Sequence, residues 1–166
     1  IDLSKDNVDL TNKGMVLFGF EKEATTGDAE NLHWQAKTFD HVYSFGVLHH
    51  TPNTEKAISE VHRVLKCRGT ALIMLYHKGY AWWFLRLLYG WWDKNYMNRY
   101  DHTPLSKIYS RKELYQLFHQ FRDIKIEIRT FGGLQRVWWG RIIHRILEWP
   151  PILKRFGSFA IIRVVK

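Results

Sequence analysis

Cysteine is almost missing from this chain, with Cys67 the only one among 166 residues. A lone cysteine excludes an internal disulfide framework and agrees with a reducing compartment. Long apolar runs are missing as well. The most apolar stretch, 80–92, is interrupted by Arg86 and falls short of the roughly 20 apolar residues needed to cross a bilayer. No transmembrane segment is therefore expected. No basic-then-apolar leader opens these residues, so the expected localisation is cytoplasmic. Gly-x-Gly occurs nowhere, which excludes a glycine-rich phosphate loop within the chain. Acidic residues are the scarcer charge, with 16 Asp and Glu against 25 Lys and Arg. Such a surface suits an anionic partner without choosing among cofactor, membrane and nucleic acid. Repeats, low-complexity tracts and linkers are also absent.

What is present suffices for one core. The chain is 46% apolar and 16% aromatic, enough for a single domain over 1–166 and too little for two. Ser4 can cap a helix running to about Phe18, with Asp6 and Asp9 near its positive end, and Gly19 stops it. Residues 23–26 are a short strand candidate ending at Gly27-Asp28. A strand is expected over 39–48, with Pro52 breaking the chain after it. Asn53 then caps a helix with Ala57, Ile58, Val61 and Leu65 on its apolar stripe and Arg63 and Lys66 near its end. Gly69 is expected to supply a left-handed cap. The run 70–76 is apolar without alternation, the pattern of a strand covered on both faces. Ser110 and Glu113 form a capping box for a helix that turns Leu114, Leu117, Phe118 and Phe121 to one side. Ile124, Ile126 and Ile128 alternate with Lys125, Glu127 and Arg129, giving a strand with one dry face. Residues 159–165 form a last apolar strand.

Helices and strands in alternation predict an α/β fold built on a mostly parallel sheet, with the last strands antiparallel. Ligands in such sheets sit at the carboxyl ends of strands. That rule selects Asp2, Asp28 with Ala29, Ser44, Phe45, Gly46, His49, His50, and Tyr76 with His77. A carboxylate at Asp2 can accept hydrogen bonds from ribose hydroxyls, or simply serve a helix end. Asp28 and the Ala29 amide can bond an adenine edge, although Gly-Asp is also an ordinary turn. His49 and His50 are neighbours and so point in different directions. They make a poor metal site, no carboxylate or cysteine stands at ligand spacing, and no metal is expected. A histidine here can take a proton from an oxygen or nitrogen nucleophile, or it can order the loop and cap the next helix.

The segment FDHVYSFGVLHHTPNTEKAISEVHRVLK at 39–66, together with GDAEN at 27–31, resembles the second half of a class I S-adenosylmethionine-dependent methyltransferase. It is most similar to the type-11 methyltransferase group, and IDLS at 1–4 is similar to that family's ribose-binding strand end. The resemblance covers nearly the whole chain and is strongest over 1–77. It implies a Rossmann-like sandwich and S-adenosyl-L-methionine as cofactor. By the same resemblance Asp2 serves the ribose and Asp28 and Ala29 the adenine. Ser44, Phe45 and Gly46 lie beside the methionine part, where backbone carbonyls face the sulfonium. His50 matches the recurrent histidine, with His49 beside it, as candidate catalytic residues. Methyl transfer mainly needs alignment and exclusion of water, so no catalytic triad is required. Two departures stand out. Cys67-Arg68-Gly69 replaces the family's Pro-Gly-Gly turn. The family's first strand, glycine loop and first helix have no counterpart, so an N-terminally truncated domain with an open sheet edge is expected.

Two aromatic and basic insertions, at about 79–101 and 131–157, are expected to choose the substrate. Trp82, Trp138 and Trp139, with Tyr76 and His77, are the candidate substrate residues. A lid over a small-molecule or lipid-like methyl acceptor fits them, with peripheral membrane contact as a further role. Nucleic acid is not an expected partner. Simple burial of the aromatics against the sheet is the competing explanation. Two other functional classes stay open. One is a nicotinamide-dependent oxidoreductase, opposed by the His49–Lys66 segment and by the lack of a Tyr-x-x-x-Lys pair. The other is a non-catalytic basic binding module.

Overall fold

The structure, a computed structural model, describes residues 1–79, 105–129 and 157–166. The expected insertions, and with them Trp82, Trp138 and Trp139, lie outside the described residues.

Helix α1 spans Lys5–Leu17, and the Ser4 hydroxyl accepts the Asn7 N–H at its N-terminus. The chain then returns along residues 20–26, held to α1 by paired bonds between the Asn12 amide and both backbone groups of Ala24, each 3.0 Å. The strand expected over 23–26 does not form. Only a single parallel bridge joins Thr26 to Asp2, because two backbone bonds on one side cannot make a ladder. Val8 is the one buried apolar residue of α1, while Leu10, Val16, Leu17 and Phe18 are exposed among the described residues.

The sheet runs in the order β1 (Phe39–Phe45), β2 (Leu65–His77), β5 (Phe159–Val165), β4 (Arg122–Arg129), and β3 (Ile108–Tyr109) pairs with the end of β2. β1 and β3 lie parallel to β2, whereas β5 runs antiparallel to both β2 and β4. The expected antiparallel pairing of the last two strands is therefore present. Among the described residues β1 forms one edge, and Tyr43 and Phe45 stand exposed on it, their rings stacked 6.1 Å apart.

Helix α2 (Thr54–Val64) is capped by the Asn53 side chain, and its Ala57, Ile58, Val61 and Val64 are buried. Helix α3 (Arg111–Leu117) has the full capping box of Ser110 and Glu113. Both helices feed one core with Ala71, Ile73, Leu75, Ile126, Ile128, Ala160 and Ile162. On the other face of β2 only Met74 is buried, and Leu72 and Tyr76 are half-covered among the described residues. Coverage on both faces was the expectation; the described helices α2 and α3 cover one. The turn into β2 also differs. Arg68, not Gly69, takes the left-handed conformation at φ 65°. Gly69 is needed for space, since a Cβ there would meet the Lys66 and Asp40 carbonyls at 2.9 and 3.1 Å. The Lys166 ammonium closes α2 from the far end of the chain, donating to the His62 and Leu65 carbonyls at 2.6 and 2.8 Å. A cation on the last carbonyls of a helix offsets its negative end.

These contacts set a pH dependence. Burial holds the His77 and His62 imidazoles below their ordinary range, with Lys166 adding to the effect at His62. Their unfolded forms take up protons first, so stability is complete above about pH 6.5 and falls below it, by at most roughly 1.4 kcal/mol per pH unit for each group. The Lys78 ammonium and the Ser110 N–H and hydroxyl hold Glu113 at about 2, so its contribution is lost only in stronger acid. Urea midpoints should therefore drop between pH 7 and 5, and H62Q and H77Q should flatten that drop. An unchanged pH profile in both variants would remove these histidines from the account.

Candidate active site

The strand β1 stops at Phe45 because Gly46 turns left-handed, at φ 77°. Its N–H still reaches the Met74 carbonyl at 3.3 Å. A 3-10 turn over Leu48–His50 follows, closed by the His50 N–H on the Val47 carbonyl at 2.9 Å and by the Thr51 hydroxyl on the Leu48 carbonyl at 2.8 Å. This shape corrects the expectation that the two histidines diverge. Successive residues of a 3-10 turn fan out instead of alternating, and both rings reach Tyr76. His49 stacks at 3.9 Å from the Tyr76 ring and 4.0 Å from His50, while His50 meets Tyr76 edge-on at 5.9 Å. His49 is fully buried and His50 half-buried.

A distant segment clasps this loop. The His50 Nδ1 lies 2.7 Å from the Leu105 carbonyl and 3.3 Å from the Ser106 hydroxyl. The Lys107 N–H donates to the His49 carbonyl at 3.0 Å, and its ammonium to the Pro52 carbonyl at 2.6 Å.

The backbones that carry Asp2 and Asp28 are joined by the Asp2–Thr26 bridge, with the Gly27 N–H on the Asp2 carbonyl at 2.9 Å. Asp2 Oδ1 accepts the Ser4 N–H at 2.8 Å, and Asp28 Oδ1 accepts the Glu30 N–H at 2.8 Å. Each carboxylate thus orders its own turn with one oxygen. The loop that follows Asp28 is fastened to α2. Glu30 accepts the Asn53 N–H at 2.5 Å, Glu60 accepts the Leu32 N–H at 2.9 Å, and the Arg63 guanidinium donates to the Leu32 and Trp34 carbonyls, both at 2.8 Å. Glu60 is held below the usual carboxylate range chiefly by its bond to Arg63. Ala29 packs against the core.

The structure thus joins the Asp2 turn to the 25–27 segment that precedes Asp28 and Ala29, and sets His49 and His50 with Tyr76. Ser44 is half-buried within β1, and Phe45 projects into the open at 53% exposure. His77 is set apart from Tyr76. It is buried on the alternate face of β2, with Nδ1 2.9 Å from the Gly157 carbonyl. Sequence reasoning missed Glu60 and the anchoring role of Arg63, whose i, i+3 spacing was a usable signal. It also missed 105–107, for which a contact spanning some fifty residues leaves no local trace.

A sheet of this order, closed by a terminal antiparallel pair, is the fold of the class I S-adenosylmethionine-dependent methyltransferases. Residues 1–73 match the family described as the methyltransferase domain. A methyltransferase from Thermotoga maritima shares the fold at a TM-score of 0.68 and 18% identity, over 99% of this chain and 70% of that one. The phosphoethanolamine N-methyltransferase 2 of Haemonchus contortus, solved with S-adenosyl-L-methionine, superposes at 0.58 with 18% identity, over 85% of this chain and 36% of that one. The phosphoethanolamine N-methyltransferase 2 of Caenorhabditis elegans is 40% identical over 54 residues, which are 32% of this chain and 12% of that protein. The chain thus spans about an eighth of the length of that curated relative.

Proposed function

We propose that the protein is an S-adenosyl-L-methionine-dependent methyltransferase acting on a small-molecule or lipid-like nucleophile. The observation that carries this is the backbone bridge from Asp2 to Thr26, which brings the Asp2 turn against the segment leading into Asp28, ahead of the glycine turn at Gly46. The acceptor set fits the cofactor: Oδ1 of each carboxylate takes the bonds that order its turn, which leaves Oδ2 to accept from a ribose hydroxyl or an adenine amino group. Asp2 would hold the ribose and Asp28 with the Ala29 amide the adenine. The Ser44–Gly46 backbone would lie along the methionine part, where Gly46 keeps the approach open. When bound, this cofactor supplies an activated methyl group on a sulfonium. The protein's own task is to align the acceptor, exclude water and take its proton, a role assigned to His50. A phosphorylated ethanolamine is the first acceptor to try, since two of the similar proteins carry that substrate in their names. Tyr76, His77 and the tryptophans Trp82, Trp138 and Trp139 are proposed to face it. The basic surface fits an anionic acceptor or headgroup, and a cytoplasmic location remains part of the proposal.

Calorimetry tests the cofactor assignment. Asp28→Ala and Asp2→Ala should each weaken S-adenosyl-L-methionine and its demethylated product, about 5- to 150-fold for a lost hydrogen bond of roughly 1–3 kcal/mol. Tight binding of a nicotinamide cofactor with none of S-adenosyl-L-methionine would move the protein to the oxidoreductases. Binding of neither would favour the basic binding module.

A further inference from the structure

We propose that the segment 105–107 is a positioning strap that sets the tautomer of His50 and so makes its Nε2 the proton acceptor. The inference rests on the assignment of His50 as the base. Three consecutive residues act on the histidine turn at once. The Leu105 carbonyl can only accept, so the 2.7 Å contact to Nδ1 requires the ring to carry its hydrogen there. The lone pair of the neutral ring then lies on Nε2. The Ser106 hydroxyl stands 3.3 Å from the same Nδ1, beside that bond. Lys107 locks the turn itself through the His49 and Pro52 carbonyls. The ring cannot flip without giving up the Leu105 bond, and His49 and Tyr76 pack against it from the other side.

The proton movement follows from this arrangement. An acceptor O–H or N–H gives its proton to the Nε2 lone pair, and the acceptor keeps its electron pair for the new bond to carbon. The imidazolium holds Nδ1–H on Leu105 throughout and later releases the Nε2 proton to water. The charged groups facing the ring from the strap reduce to Lys107, whose ammonium is turned to Pro52 and Thr54.

Long-range nitrogen–proton NMR on the labelled full chain decides the tautomer without any turnover. His50 is expected in the Nδ1–H form, whereas an exposed neutral histidine favours Nε2–H. Observation of Nε2–H at His50 would overturn the proposal. The second measurement is Ser106→Asp, which sets an anion beside Nδ1 and favours the imidazolium. The acidic limb of the turnover–pH profile, measured with phosphoethanolamine, should move up by about one unit, while Ser106→Ala should leave it nearly in place. An unmoved limb in Ser106→Asp, with methyl transfer intact, would also overturn the proposal. Absence of S-adenosyl-L-methionine binding to the parent chain fails the functional assignment instead, and it is read separately from the tautomer.

Discussion

Replacing His50 with glutamine should lower kcat for methyl transfer by roughly 10²- to 10⁴-fold, the ordinary contribution of a positioned general base. Glutamine is chosen because its amide can still donate to the Leu105 carbonyl, which keeps the strap engaged. Affinity for S-adenosyl-L-methionine should change by less than about threefold, since His50 is not among the residues assigned to the nucleoside. The effect should be largest for an acceptor that must lose a proton. His49→Ala is expected to behave differently. Its ring is fully buried between His50 and Tyr76, so the variant should show itself in the Tm before it shows in kcat. Calorimetry, thermal melts and steady-state rates on the two variants separate these roles. A parallel fall of rate, affinity and Tm in His50→Gln would make it a loop-ordering residue and no more.

Phe118→Ala should cost about 3–5 kcal/mol, the range for truncating a buried aromatic ring. Phe118 is wholly buried, at the end of α3, with Phe121 at 5.9 Å and the Leu114, Ile126 and Ile128 side chains in the same core. Folded domains hold only about 5–15 kcal/mol in all, so this single change removes a large share. Tyr115 offers the control from the same helix. It is exposed at 41%, and Tyr115→Ala should cost under about 1 kcal/mol. Urea titration should show a lower midpoint for Phe118→Ala at an unchanged slope. A loss below about 1.5 kcal/mol would mean that the core repacks around the gap.

Much of this arrangement was legible before the structure. Asn53, Ser4 and the Ser110–Glu113 pair cap the helices where their side-chain chemistry requires, because a cap is a bond between residues two or three apart. The isoleucines of β4 alternate and are buried or half-buried on one face for an equally local reason. The short strand at 23–26 was misread on the same local grounds. A strand needs a neighbour to bond, and among the described residues the backbone of 23–26 pairs with Asp2 alone. The left-handed residue at 68 was likewise given to glycine, since propensity favours glycine but does not see the Lys66 and Asp40 carbonyls that crowd position 69.

The candidate site divides along the same line. Asp2, Asp28, Gly46 and the two histidines stand out in sequence because strand ends, turns and titratable side chains are local signs of a ligand-bearing α/β sheet. How the histidines are used was decided by tertiary contact. The backbone between 45 and 50 chose a 3-10 turn over an extended strand, so both rings reach Tyr76. The Leu105 carbonyl, fifty-five residues away in sequence, then selects which imidazole nitrogen bears the hydrogen. The Glu60–Arg63 pair fastens the 32–34 loop to α2 by bonds to backbone carbonyls, which carry no residue signature. Side-chain type and spacing determine which groups are available, and those are written along the chain. Which lone pair faces a substrate depends on groups brought close only when the sheet closes, because hydrogen bonds are made across a few ångströms of space and not along a length of sequence.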